Sequence, residues 1–300
     1  MKRLVILLGL VALIALVVFG LTRPVSLTVD ILPVHDIDIV NGERLFHAGG
    51  CNSCHGSIET EAGSDAPVLG GGLAMHTPFG TFHVPNISPH PSRGIGNWTM
   101  LDFVNAMHQG VSPDGRHYYP SFPYASYTRM SFEDLMDLKS YLDTLPEAVN
   151  KNVAHELKFP WKVRSGIGVW KLINLDSSPV VSVADENDVL IRGRYLVEGP
   201  GHCGECHTPR NWTGCLDYKH WLAGAPNPDG EGKVSNITPD EKGLADWSAD
   251  DIEYYLESGF TPDYDTAGSS MVEVQENMAR LPAQDRAAIA AYLKAIPPLR

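Results

Sequence analysis

Two copies of one short pattern constrain this chain more than any other feature of its sequence. Cys51-Asn52-Ser53-Cys54-His55 and Cys203-Gly204-Glu205-Cys206-His207 both read C-x-x-C-H. The pattern is the attachment signature of c-type haem, in which two cysteines form thioethers to the porphyrin and the adjoining histidine is the proximal ligand of the iron. We therefore predict two covalently bound haems c. A thiol-rich metal or redox site is the alternative for such cysteine pairs. The residues predicted to hold the two groups are Cys51, Cys54, His55, Cys203, Cys206 and His207.

The same landmarks follow each of these motifs along the chain. Each copy continues with N-I-[ST]-P, W-[ST]-x-x-D and G-x-[ST]-P-D, and ends in a helical pattern with a Tyr-Leu pair and a proline stop. Self-similarity of this kind indicates an internal repeat. We expect a first repeat over residues 36–146 and a second repeat over residues 189–300, joined by a linker over 147–188.

Local patterns predict that both repeats consist of helices. Thr99 and Ser248 are N-cap candidates with an acid three residues later, and Gly110 and Gly259 are placed to end the helices that follow. Little of the sequence alternates at period two, so strands should be scarce. The prediction is an all-α fold of two tandem domains with long loops around the haems. Helices are expected over Asn41–His47, Leu101–Gln109, Phe132–Leu145, Val163–Leu175, Leu190–Val197, Asp250–Ser258 and Gln284–Ile296.

The first 24 residues predict an N-terminal transmembrane helix. Leu4 to Leu21 is an apolar run of 18 residues without a charge, about the lower limit for a membrane-spanning helix. Lys2 and Arg3 should remain cytoplasmic by the positive-inside bias. The rest of the chain would then face the periplasm from the inner membrane. The alternative is a signal peptide that is removed, although the small-residue cleavage pattern near Phe19-Gly20 is poor.

The net charge of the chain limits the classes of partner that it can bind. The 300 residues carry a formal net charge of −13, which argues against nucleic acid and favours an acidic soluble surface.

Of five cysteines, Cys215 alone lies outside the motifs, and we expect it to be a lone thiol. In the linker, Trp161 and Trp170 are expected to pack between the repeats rather than at a membrane surface.

Together these motifs resemble those of membrane-anchored dihaem cytochromes c built from two class I cytochrome c domains. They are similar to the cytochrome c subunits of periplasmic alcohol, aldehyde and gluconate dehydrogenases, over roughly Val40 to Pro297. The resemblance implies electron transfer from a periplasmic dehydrogenase or another redox protein to the quinone pool, a soluble cytochrome or a terminal oxidase. It also implies that Pro67 supplies the carbonyl that orients His55. The residues it implies near the haem edges are Asn86, Trp98, Asn236 and Trp247.

The sixth iron ligand is predicted differently for the two repeats. Methionine sulfur favours ferrous iron and raises the potential. Met271 lies twelve residues after Gly259, where the resemblance also implies the ligand, with Met278 as fallback. The equivalent position in the first repeat is Phe122, which cannot bind iron. Three alternatives stay open there: Met130, His117, or a position that is open or filled by another residue.

That mismatch motivates a second function class. An open first iron would suit a dihaem enzyme of the peroxidase or thiosulfate dehydrogenase type, which needs a polar acid or base above the metal. No convincing acid or base is evident in the sequence. Electron transfer without bond chemistry is therefore the favoured interpretation, and the resemblance implies a subunit of a dehydrogenase complex.

Overall fold

The computed structural model describes residues 2–57, 66–183, 187–227 and 232–300. All the predicted helices are confirmed, with ends within about three residues of the expected ones. The chain begins with α1 (Lys2–Leu21). The helices of the first repeat are α2 (Ile39–Ala48), α3 (Cys51–His55), α4 (Met100–Val104) continued by a π-helical turn (Asn105–Gln109), α5 (Tyr124–Tyr127) and α6 (Phe132–Leu142).

The linker and the second repeat continue this order. The linker contains α7 (Gly166–Asn174). The region expected to form the second repeat contains five α-helices among the described residues. Its helices are α8 (Asp188–Glu198), α9 (Gly204–His207), α10 (Ala249–Ser258), α11 (Met271–Met278) and α12 (Ala283–Ala295).

The first and last helices of each repeat cross at a glycine. A Cβ atom on Gly42 of α2 would lie 2.3 Å from the carbonyl oxygen of Asp137 in α6, and one on Gly193 of α8 would lie 2.0 Å from that of Ala288 in α12. Only a residue without a side chain allows backbones to approach this closely. The tyrosine of each Tyr-Leu pair, Tyr141 or Tyr292, packs at the same crossing.

Caps fix the start of the helix that follows the W-[ST] pair in each repeat. Thr99 and Ser248 both form capping boxes, with Asp102 and Asp251 as the reciprocal partners, as the spacing predicted. The glycines that end the two helices adopt the left-handed conformation, with φ of 59° at Gly110 and 80° at Gly259. The two copies differ in one respect, because the first ends in a π-helical turn whereas α10 stays regular to Ser258.

Short strands make the all-α prediction hold only in part. Helices make up most of the regular structure among the described residues, but β1 (Ala74–Thr77) and β2 (Gly80–His83) form a hairpin to which β3 (Glu156–Leu157) of the linker adds. A second pair joins β4 (Ala225–Pro226) to β5 (Lys233–Val234). These segments have two to four residues each, too few for a period-two pattern to be recognised in the sequence.

Each repeat has its own hydrophobic core. In the first, buried residues of α2, such as Leu45 and Phe46, pack on Leu135 and Leu138 of α6. In the second, residues of α8, α10 and α12 surround the fully buried Trp221. Ala48 of the first repeat belongs to this second core, so the two repeats share apolar surface.

The apolar N-terminal helix ends on the linker. Among the described residues, α1 is the one helix long and apolar enough to cross a membrane; at 20 residues it spans about 30 Å. Its end is fixed at Thr22, whose carbonyl oxygen accepts a hydrogen bond from Nε2 of His117 at 2.9 Å. A Cβ atom on Gly168 of α7 would lie 2.1 Å from that same oxygen. The end of α1 therefore touches α7 directly.

Candidate haem-binding sites

Each C-x-x-C-H segment folds into a single helical turn. Spacing of three residues puts both cysteines of a pair on one side of the turn. Cys54 and Cys206 are exposed, whereas Cys51 and Cys203 are half-buried against the core. Burial raises the pKa of the Cys51 and Cys203 thiols to about 12. Each turn therefore presents one cysteine at the surface and one at the edge of the core, as a pair of adjacent thiols.

The histidine of each motif is held by a backbone carbonyl. Nδ1 of His55 donates to the oxygen of Pro85 at 2.8 Å, and Nδ1 of His207 donates to the oxygen of Ser235 at 2.8 Å. The Pro67 prediction is wrong, since Pro85 is the acceptor. Burial lowers the pKa of both histidines. A neutral imidazole with a proton on Nδ1 carries its lone pair on Nε2, the tautomer that binds iron. Two thiols and such an imidazole are the donor set that haem c requires.

A glycine in each repeat makes room for the carbonyl acceptor. The amide of Gly71 donates to the carbonyl of His55 at 2.8 Å, and that of Gly224 donates to the carbonyl of His207 at 2.8 Å. A Cβ atom on Gly71 would lie 2.5 Å from the Pro85 oxygen. Sequence reasoning missed both glycines. The signal was an L-x-G pattern, at Leu69 and Leu222, which recurs before each N-I-[ST]-P motif.

The asparagines of the N-I-[ST]-P motifs hold the loops that carry these carbonyls. Oδ1 of Asn86 accepts from the amide of Ser88 at 2.9 Å, and Nδ2 donates to the carbonyl of Ala148 at 2.8 Å. In the second repeat, Oδ1 of Asn236 accepts from the Thr238 amide and Nδ2 donates to the Leu299 carbonyl, at 2.8 and 2.7 Å. Each asparagine thereby fixes the residue before it, the acceptor of the histidine proton. The tryptophans of the next motif pack against the cores.

In the second repeat, the predicted sixth ligand begins a helix. Met271 is the first residue of α11 and is half-buried. The fallback, Met278, is only 4% exposed and lies in the second hydrophobic core. Met271 remains the predicted ligand, with Met278 as the fallback.

In the first repeat, the equivalent region is aromatic. Phe122 packs its ring against Tyr118, Tyr124 and Tyr127, with centroids 5.7 to 6.3 Å apart. Burial raises the pKa of Tyr118 to about 12 and raises the pKa of the other two tyrosines further. These hydroxyls keep their protons at neutral pH and make poor general bases.

Two candidates for the sixth ligand of the first repeat lie in different surroundings. Met130 is 4% exposed and lines a small cavity together with Cys51 and Tyr127. His117 is buried, and its Nε2 is occupied by the Thr22 carbonyl at the end of α1. Nδ1 of His117 has no hydrogen-bond partner among the described residues, but Met130 is the candidate that lies beside Cys51. We therefore favour Met130 as the candidate ligand.

The two attachment turns meet at their N-terminal ends. His202, the residue before Cys203, donates from Nε2 to the carbonyl of Gly49 at 3.2 Å, although 153 residues separate the two in the chain. The His202 ring packs edge-on against Tyr127, with centroids 5.6 Å apart. The backbone of His202 has φ 36°, which costs about 1–2 kcal/mol for a residue with a side chain. The contact between the repeats stabilises that conformation.

Polar residues inside the motifs reach across to the opposite repeat. Oγ of Ser53 accepts from Nδ2 of Asn277 in α11 at 3.2 Å. Oε1 of Glu205 accepts from the hydroxyl of Ser126 in α5 at 3.3 Å. Ser53 and Glu205 occupy the same position of their motifs, and both partners lie in the segment before the last helix. The contact is therefore approximately symmetric, and it holds the two turns side by side.

Comparison of the sequence with known proteins shows which family the chain resembles. A family model described as cytochrome c matches residues 39–146. The chain is 51% identical, over 92% of both sequences, to a diheme c-type cytochrome of Cereibacter sphaeroides. It is 35% identical, over 88% of its length, to the fructose dehydrogenase cytochrome subunit of Gluconobacter japonicus. It is 36% identical, over 87%, to the gluconate 2-dehydrogenase cytochrome c subunit of Pantoea cypripedii.

The extent of these matches differs between the relatives. The chain spans nearly all of the Cereibacter protein but only 53% and 60% of the two dehydrogenase subunits. Similarity over almost the full length of one relative, together with the paired thiols and oriented imidazoles, confirms the predicted family. The chain belongs to the c-type cytochromes, the electron-transfer proteins that bind haem c covalently, in the family that includes this diheme cytochrome.

Proposed function

We propose that each attachment turn carries one haem c, so that the chain is a dihaem cytochrome of two tandem class I domains, residues 36–146 and 189–300. The repetition of one geometry supports this proposal, because His55 and His207 each donate to a backbone carbonyl, that of Pro85 or Ser235, at the same distance of 2.8 Å. The name of the Cereibacter relative supports the number of two. Bound haem c supplies one-electron chemistry between ferric and ferrous iron.

The residues of the chain set how that chemistry proceeds. Burial keeps the histidines neutral, and the carbonyls of Pro85 and Ser235 fix the orientation of their rings. In this proposal the sulfur of Met271 binds the second iron and raises its potential. Met130 is the proposed ligand in the first repeat, where its burial beside Cys51 keeps water away. The two sites then have different surroundings and different potentials.

The observation that carries the proposal is the contact between the two attachment turns. Gly49, two residues before Cys51, accepts a hydrogen bond from the residue directly before Cys203. The bonds from Ser126 and Asn277 prevent one turn from moving away from the other. A fixed separation suits a relay, since electron transfer requires redox groups that are close and do not reorganise.

The partners follow from the relatives and from α1. Several relatives are named as cytochrome subunits of dehydrogenases, and we propose that a periplasmic dehydrogenase or another redox protein reduces this chain. The acceptor is the quinone pool, a soluble cytochrome or a terminal oxidase. The apolar helix α1 is proposed to anchor the chain in the inner membrane, with both repeats facing the periplasm. Co-purification from membranes followed by mass spectrometry tests the partner.

Intact mass under denaturing conditions tests the cofactor assignment most directly. The full chain should carry the added mass of two haems, and the double variant Cys203→Ala/Cys206→Ala that of one. Cys215→Ala is the matched control, because Cys215 is 3% exposed and outside both motifs. It should retain both haems. A wild-type mass without covalent additions would exclude the proposal.

A further inference from the structure

The linker exposes an apolar surface beside the end of α1. We call this surface the linker face; its residues are Phe159, Trp161, Val163, Val169, Leu172 and Ile173, each between 42% and 77% exposed. The prediction that both linker tryptophans pack between the repeats is confirmed for Trp170 but is wrong for Trp161. Trp170 donates from Nε1 to the Thr213 carbonyl at 3.1 Å and contacts Tyr124. Trp161 is half exposed and meets only the edge of Phe79 among the aromatic rings.

The hydrogen bonds that α7 makes with the two repeats show which side of this helix faces outward. Nζ of Lys171 donates to the carbonyls of Gln109 and Gly110 at 2.6 and 2.7 Å. Together with the Trp170 hydrogen bond, this fastens α7 to both repeats. Val169, Leu172 and Ile173 lie on the opposite side of the helix. The outward side is therefore held rigidly, and its apolar side chains remain exposed.

The first argument for what covers this outward side is its position relative to α1. Gly168 touches the carbonyl of Thr22, the residue that follows α1. Leu172 follows Gly168 by one helical turn on the same side of α7. A bilayer that surrounds α1 would therefore have its surface at the level of the linker face.

Charge is the second argument. Residues 157–170 contain the basic residues Lys158, Lys162 and Arg164 and no acidic residue, whereas the whole chain has a net charge of −13. Lys158 and Lys162 are exposed next to the aromatic residues. Basic side chains beside tryptophan and phenylalanine are typical of segments that lie in the headgroup region of a membrane with anionic lipid.

We propose that the linker face lies in the headgroup region of an anionic bilayer and holds the two repeats against the membrane in one orientation. This inference rests on the proposal that α1 is a membrane anchor. Two attachments, one spanning and one interfacial, restrict rotation of the repeats about α1. The surface that a membrane-bound electron acceptor can reach is thereby fixed.

Site-directed spin labelling tests the inference on the full-length holoprotein with Cys215→Ala as background. Single variants Leu172→Cys, Tyr264→Cys and Leu10→Cys are labelled and reconstituted into nanodiscs of phosphatidylcholine with or without phosphatidylglycerol. Tyr264 is the matched control, since it is 89% exposed and lies in the second repeat. Haem spectra establish that each variant is folded. Power saturation with oxygen and with a nickel chelate reports the depth of each label.

We expect the Leu172 label to be accessible to oxygen and shielded from nickel, more so with anionic lipid, while the Tyr264 label stays open to nickel. The added substitutions Lys158→Gln and Lys162→Gln should abolish the lipid dependence. A Leu172 label that stays open to nickel while the Leu10 label is embedded would overturn the inference and leave the anchor intact. A Leu10 label in water would overturn both. A Leu172 label shielded in detergent by a co-purified protein would assign the face to that protein and also overturn the inference.

Discussion

His55 and His207 share one proximal arrangement, but their distal surroundings differ. On the proximal side, each ring donates to a carbonyl that directly precedes an N-I-[ST]-P motif, and each histidine carbonyl accepts from a glycine of an L-x-G pattern. At the position predicted for the sixth ligand, the second repeat has Met271 at the start of α11, whereas the first has Phe122 within a cluster of tyrosines.

The difference shows which parts of such a site can vary. A histidine next to two covalently attached cysteines has little freedom, and one carbonyl suffices to fix its ring. The distal ligand comes from a separate segment and can change without disturbing the attachment. Packing beneath the turns also varies: a Cβ atom on Gly204 would lie 2.1 Å from Trp221, while the equivalent Asn52 is exposed. Unequal haem potentials are the expected consequence.

The largest effect should come from the distal side of the second repeat. Met271→Ala removes the proposed sulfur ligand and should lower one of two midpoint potentials by a sizeable fraction of the roughly 0.8 V that axial ligands span. Phe122→Ala should leave both potentials nearly unchanged, since phenylalanine cannot ligate iron. Redox titration of the full chain measures both. Equal shifts in the two variants would contradict the proposed asymmetry.

A substitution at Met130 tests whether the first repeat also has a methionine ligand. Met130→Leu keeps the buried volume, so the free energy of unfolding should fall by less than about 1.5 kcal/mol, but the sulfur is lost. If Met130 binds the first iron, one potential falls and carbon monoxide binds to the ferrous protein. Unchanged potentials would restrict Met130 to packing.

A smaller effect, on the free energy of unfolding, is expected at the glycines that lie against the carbonyls bonded to the histidines. In Gly71→Ala the methyl group meets Pro85 at 2.5 Å, and overpacking of this kind costs about 1–3 kcal/mol in addition to the left-handed conformation. Gly115→Ala is the matched control, because Gly115 also has positive φ, at 73°, but no atom within 4 Å of its Cβ position. Denaturant unfolding should show the larger loss for Gly71→Ala. Equal losses would mean that only backbone conformation matters there.

The smallest effect concerns how pH changes the stability that side-chain contacts with the last helix of each repeat, α6 or α12, contribute. A hydrogen bond with Asp137 of α6 raises the pKa of His35 above 6.5. In the second repeat, α8 and α12 are joined by Arg192 and Asp285, 2.8 Å apart, and arginine does not titrate in this range. The stabilisation from His35 is complete below pH 6.5 and is lost as pH rises through its folded pKa.

His35→Gln removes that titration. The difference in free energy of unfolding between wild type and His35→Gln should therefore shrink as pH rises above 6.5, measured by denaturant unfolding over a series of buffers. Arg192→Gln is the control, and its difference from wild type should be constant over the same range. A constant difference for His35→Gln would show that this pair does not titrate as inferred.

The sequence predicted the features that depend on neighbouring residues. C-x-x-C-H, the capping boxes at Thr99 and Ser248, and the glycines after the helices all act within one or two turns of chain. Pairings across longer distances were missed or misplaced. Pro67 was expected to hold His55, whereas Pro85, 30 residues from His55, does so. Trp161 was expected in the interior, but its side of the linker faces outward.

The sequence alone therefore determined the cofactor chemistry and the family, because cysteine spacing and the adjoining histidine act through local geometry. Only the tertiary structure decided which carbonyl fixes each histidine and that Met130 lies beside Cys51. It also decided that His202 joins the two attachment turns across 153 residues of chain. Those contacts depend on how the two repeats pack, and no local pattern encodes the relative position of surfaces so far apart in the chain.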